Sequence, residues 1–254
     1  MFGWSINLFR IRGIQLAVHS SFLLLLAYAA YEGWRDGGWM GALLSAGLLL
    51  AFFACVVLHE LGHSFTAMAY GIGVRRILLM PIGGMAEMDA IPRQPTRELL
   101  ITLAGPAVNF LIVAILWPIV GFPSAGYSEN LFVFFGQMLL KANLWMGLFN
   151  LLPAFPMDGG RILRALLAQR VPYLRATYLA VLIGKVICVG GIIVGLVLWQ
   201  QYPLLPFVFG FILFAGNAEY RAVQRRETEE AHWRTVSGQF LSPRAQPEPP
   251  VLGP

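Results

Sequence analysis

Charge is what this sequence has least of. Asp, Glu, Lys and Arg make up only 12% of its 254 residues, against about 25% in an ordinary soluble domain. With a mean hydropathy of +0.67, that shortage points away from a soluble globular chain and toward a membrane protein. Cysteine is nearly absent. Cys55 and Cys188 lie far apart in apolar runs, so neither a CxxC pattern nor a disulfide framework is available. Cys55 falls one helical turn before His59, but a free cysteine is usually just a small buried residue. Lysine occurs only at 141 and 185, both inside apolar stretches. A small-residue cleavage site is also missing after the first apolar run, which is therefore read as a retained span and not a signal peptide. There is no internal repeat and no room for a separate soluble domain, and no nucleic-acid partner is expected.

Long apolar runs are what the sequence does have. A spanning helix needs about 20 largely apolar residues, and six stretches qualify: Ile14–Tyr31, Trp39–His63, Leu99–Phe122, Leu131–Leu152, Ala176–Trp199 and Tyr202–Ala218. The expected fold class is an all-α polytopic membrane protein of about six transmembrane helices. A small membrane-associated β-hairpin or sheet is expected after the second, within "VRRILLMPIGGMAEM" (Val74–Met88). The expected organisation is a membrane domain over 1–218, a charged cytoplasmic helix over 219–240 and a proline-rich disordered tail over 241–254. Arginines gather before the first span, between the second and third, between the fourth and fifth, and after the sixth, whereas the alternate loops hold only Arg35. The positive-inside rule then places both termini in the cytoplasm, and the expected location is a prokaryotic plasma membrane.

One polar group interrupts this pattern. The second apolar run ends in "LHELGHSF" (Leu58–Phe65). His59 and His63 stand i, i+4, one turn apart on the same helix face. That spacing lets two imidazoles grip one zinc ion, with Glu60 placed to polarise a water. Ionisable residues in a membrane cost at least roughly 2.5–3.5 kcal/mol each on insertion scales, and they usually mark function. A catalytic zinc takes three protein ligands. Asp158 is the candidate third: it follows Pro153 and Pro156, which interrupt the fourth span, and precedes Gly159 and Gly160. The alternative is that Asp158 merely caps the helix after it. The second and fourth spans run in the same direction, so topology puts His59, His63 and Asp158 at one level of the membrane.

These segments carry a resemblance. "HELGH" (His59–His63), "PIGGMAEM" (Pro81–Met88), "AGPAVN" (Ala104–Asn109) and "FNLLPAFPMDGGRI" (Phe149–Ile162), with "GIQLAVHSSFLLL" near the start, make the sequence similar to the site-2 proteases, intramembrane zinc metalloproteases. The resemblance implies one Zn2+ per chain held by His59, His63 and Asp158, with Glu60 as catalytic base. It implies transmembrane protein substrates within the lipid bilayer, and a small sheet, with Gly83 and Gly84 in it, whose edge pairs with unwound substrate. Asn150 is implied to hold substrate or an oxyanion. Neither a PDZ domain nor a nucleotide-sensing CBS domain is recognised in the sequence, so it is expected to be a minimal form.

The remaining polar residues have plainer expectations. Asn109, in an apolar helix, is expected to hydrogen-bond another helix, and so is His19. His232 lies in the charged tail. Lys141 and Lys185 either snorkel or line a water path. Two rival functions are a metal transporter and a catalytically inactive binder of membrane helices. Transport predicts ligands spread through the membrane depth, whereas here they gather on one side.

Overall fold

The protein was analysed as a computed structural model that describes residues 4–89, 92–123 and 128–241. Its elements in chain order are β1 (Ser5–Ile11), β2 (Ile14–His19), α1 (Ser20–Ala69), β3 (Val74–Met80), β4 (Gly83–Met88), α2 (Pro95–Val120), α3 (Leu131–Asn150), α4 (Asp158–Ala168), α5 (Tyr173–Val197) and α6 (Leu205–Leu241). Four of the six helices, α1, α2, α3 and α5, are long and apolar enough to cross a membrane.

α1 is not one rod. Its 50 residues are interrupted at Gly37 and Gly38, and Gly38 has φ +58°, a conformation open chiefly to glycine. The Phe22 and Phe53 rings lie 4.6 Å apart, although 31 residues of straight helix would separate them by roughly 46 Å. The chain therefore reverses at the glycine pair, and the halves 20–36 and 39–69 lie side by side. Close to the bend, Gly33 and Gly41 touch backbone to backbone with no room for a Cβ on either.

The four strands form one sheet in the order β1-β2-β3-β4. β1 and β2 are an antiparallel hairpin, β3 and β4 another, and β2 runs parallel to β3 because α1 is the crossover between them. One face of the sheet packs on α1: Ile14, Leu16 and Val18 of β2 and Ile77 and Leu79 of β3 share a core with Phe22, Phe53, Val56 and Leu61. The expected hairpin is β3–β4. The N-terminal strands were not expected, and the first apolar run begins as a helix at Ser20, not at Ile14. Four of the six β2 residues are apolar, and a short, mostly apolar run does not distinguish strand from helix. Across β3 and β4, Arg76 donates to Glu87 at 2.8 Å, which holds the Glu87 carboxyl below the usual carboxylate range.

Two further features add to the sequence reading. α6 runs unbroken from Leu205 to Leu241, so the charged segment 219–240 continues the last apolar helix; the tail beyond 241 lies outside the described residues. Arg164, one of the arginines between the fourth and fifth spans, is fully buried. Its guanidinium joins Glu98 of α2 and Glu219 of α6, so this residue tethers helices and says nothing about orientation.

Candidate metal centre

α1 presents His59 and His63 toward α2, and α4 brings in Asp158 from the other side. The helices meet closely here because the contact residues are small. A Cβ on Gly62 would come 2.7 Å from the Ala104 carbonyl oxygen. One on Gly105 would run into the ring nitrogens of both histidines. On the α4 side, Gly159 and Gly160 lie directly against the backbone of 151–155, so the turn after α3 folds tightly onto the helix that Asp158 begins.

The imidazoles are oriented from behind. His63 Nδ1 donates to the Ile101 carbonyl at 2.8 Å, since a carbonyl only accepts. His59 Nδ1 lies 2.6 Å from Asn109 Oδ1. The Asn109 amide in turn donates to Asn143 Oδ1 at 2.9 Å, and the Asn143 amide donates to the Leu139 carbonyl at 2.8 Å. This chain leaves one consistent assignment, in which His59 Nδ1 also carries its proton. Both Nε2 atoms then offer lone pairs into the same space.

Asp158 completes a triangle of acceptors. The two Nε2 atoms are 3.1 Å apart, and each lies 3.3 Å from Asp158 Oδ2. With no proton on either Nε2, no group among the described residues donates to that buried oxygen. Three lone-pair atoms pressed together without a donor suit a cation. A tetrahedral ion with ligands at roughly 2.0–2.1 Å spaces neighbouring ligand atoms about 3.3–3.4 Å apart, which fits zinc and its N/O chemistry. Among the described residues, His59, His63 and Asp158 form the one group of three or more His, Cys, Asp or Glu side chains close enough to share an ion.

The capping alternative for Asp158 does not describe this geometry. α4 starts at Asp158 with Met157 as N-cap, and no side chain caps it. Glu60 follows His59 on α1 and lies against β4, where a Cβ on Gly84 would come 2.6 Å from Glu60 Cγ. Gly83, at the start of that strand, has φ +134°. The structure therefore brings His59, His63, Asp158, Glu60 and Gly84 into one region.

Other candidates fall elsewhere. Asn150 ends α3, and its amide donates to Met146 of its own helix at 3.1 Å. His19 is the N-cap of α1, accepting from the Ser21 amide at 3.2 Å, so it serves its own helix and not a neighbour. Cys55 and Cys188 are buried free thiols. His232 is exposed on α6 beside Trp233. Lys185 lines a small gap between α5, α6 and the 154–155 turn.

The family model for peptidase family M50 matches residues 47–128 and 122–191, which together cover more than half of the chain and every residue of the triangle. The chain belongs to peptidase family M50, the site-2 proteases. This site-2 protease family member is 39% identical to a zinc metalloprotease of Methanocaldococcus jannaschii over 87% of its own length and 62% of the relative's. It is 29% identical to Rip3 of Mycobacterium tuberculosis over 92% of its own length and 61% of that protein. The chain thus spans about three fifths of the length of these curated relatives. A solved structure, the site-2 protease from Methanocaldococcus jannaschii, superimposes with a TM-score of 0.60 at 38% identity, covering 85% of this chain and 95% of that one.

Sequence reasoning missed Asn143, which holds Asn109. Its partner lies on another helix, so no local spacing marks it. The helix-to-helix bonds expected of Asn109 are those to His59 and Asn143.

Proposed function

We infer that the chain is an intramembrane zinc metalloprotease that hydrolyses peptide bonds within or near transmembrane segments of other membrane proteins. The observation that carries this reading is the donor-free triangle of His59, His63 and Asp158, beside a carboxylate one residue along the same helix. His59, His63 and Asp158 would hold one zinc per chain. Bound zinc supplies Lewis acidity, which acidifies water and polarises a peptide carbonyl. Glu60 accepts the water's proton and delivers it to the leaving amine. Asn109 and the Ile101 carbonyl keep both imidazoles in the liganding tautomer throughout. Gly83 and Gly84 leave the β4 backbone open beside Glu60, where an unwound substrate strand would pair; Asn150 is a further substrate contact. The two halves of α1 together with α2, α3, α5 and α6 make six spans, which fits the arginine distribution with both termini in the cytoplasm of a prokaryotic cell and the site near that face.

The test is metal content and cleavage measured together in detergent-purified protein. About one zinc per wild-type chain is expected, with strong loss in Asp158→Ala. Glu60→Gln should keep its zinc yet cleave a membrane-embedded test peptide roughly 10²–10⁴-fold more slowly. Wild-type protein without metal would overturn the reading, and undiminished cleavage by Glu60→Gln would remove the base.

A further inference from the structure

We propose that Arg164 is a positioning residue for the metal centre, fixing Asp158 relative to the histidines through its ion pair with Glu98. The proposal rests on the zinc-protease reading above and adds a residue to it. Arg164 has no exposed surface. Its Nε and Nη2 donate to Glu98 Oε1 at 2.9 and 2.5 Å, and its Nη1 donates to Glu219 Oε1 at 3.0 Å. The guanidinium carbon also sits 5.0 Å from the rings of both Phe155 and Tyr173. Phe155 belongs to the turn that delivers Asp158, so both ends of the Asp158 segment are tied to the same cation.

The placement along each helix gives the cluster its effect. Arg164 and Asp158 are six residues apart on α4, a helix of only 11 residues, and such a short helix moves as one body. On α2, Glu98 lies three residues before Ile101, whose carbonyl orients His63. The Arg164–Glu98 contact therefore spans the two bodies whose separation sets the distance between Asp158 and His63. Burying these charges is costly, and apolar packing of equal volume would hold the helices together at least as well. What an arginine adds is a rigid planar group whose Nε and Nη2 converge on one Glu98 oxygen, which restricts the relative geometry more than a flexible ammonium would. Glu219 ties the same guanidinium to α6, which carries no ligand, so that contact should matter less to the ion.

The experiment uses the full-length chain in detergent with zinc exchanged for cobalt, whose visible absorption reports ligand geometry. Affinity is read by competition with a chelating dye, and folding by thermal melting. Arg164→Lys and Glu98→Gln should each weaken metal affinity roughly 10–100-fold, as loss of an outer partner does, and should shift the cobalt spectrum. Glu219→Gln should leave affinity and spectrum close to wild type. A melting point lowered with the spectrum and affinity unchanged would make the cluster purely structural and overturn the proposal. If Arg164→Lys does not fold, Glu98→Gln, which keeps a hydrogen-bonding side chain of the same length, decides. Metal-free wild type would sink the protease reading and this one together, whereas metal bound equally by wild type and Glu98→Gln would sink only the positioning role.

Discussion

Two buried polar clusters among the described residues are built in opposite ways. Around Arg164 the protein supplies its own cation, with Glu98 and Glu219 arranged about it. Around Asp158 it supplies only lone pairs, with two imidazole nitrogens 3.3 Å from the carboxylate oxygen and no donor among them. Both clusters draw on α4, through Asp158 and Arg164, and both are braced by α2. What separates a tether from a binding site is whether the charge is balanced by the chain itself or left for an ion from outside.

That contrast can be broken at either end. The largest effect should come from stripping the outside cation: a strong chelator should reduce cleavage to background, and added zinc should restore it while the fold persists. If activity survives chelation, the triangle is not the working site. Next, Arg164→Met removes the internal cation and leaves the buried Glu98 carboxylate uncompensated, which costs about 3–5 kcal/mol; a large fall in melting temperature should follow. Its absence would mean that this carboxylate takes up a proton or water more easily than its burial suggests. Smaller is Asn109→Ala, which frees His59 Nδ1 from its acceptor. Metal affinity should drop roughly 10–100-fold by dye competition, with the melting curve changed far less. Smallest is Arg75→Ala at the exposed pair with Asp89, where metal content and melting should match wild type.

The parts of the site legible in the sequence are those that local geometry encodes. His59 and His63 share a face because of helix periodicity alone, and Asp158 is marked by the prolines and glycines around it. The hairpin Val74–Met88 is bounded by turn residues and was legible too. The N-terminal strands were not, because β2 runs straight into α1 as one apolar stretch. The tethering role of Arg164 was not legible for a related reason: its two acidic partners lie 66 and 55 residues away. Asn143 lies 34 residues from the amide it holds. Contacts of that range depend on how helices pack, which no window of sequence displays.

α2 shows what this packing demands. Glu98, Ile101, Gly105 and Asn109 recur at three- and four-residue steps, so they line one stripe of the helix. Along that stripe lie the partner of Arg164, the acceptor for His63, the gap under both imidazoles and the acceptor for His59. Inserting one residue between 98 and 101 would rotate Glu98 by roughly 100° relative to the rest, parting tether from centre without deleting a single functional group. In this segment, then, length is under tighter constraint than composition: the outward-facing residues are free to change, but the number of residues between Glu98 and Asn109 is not.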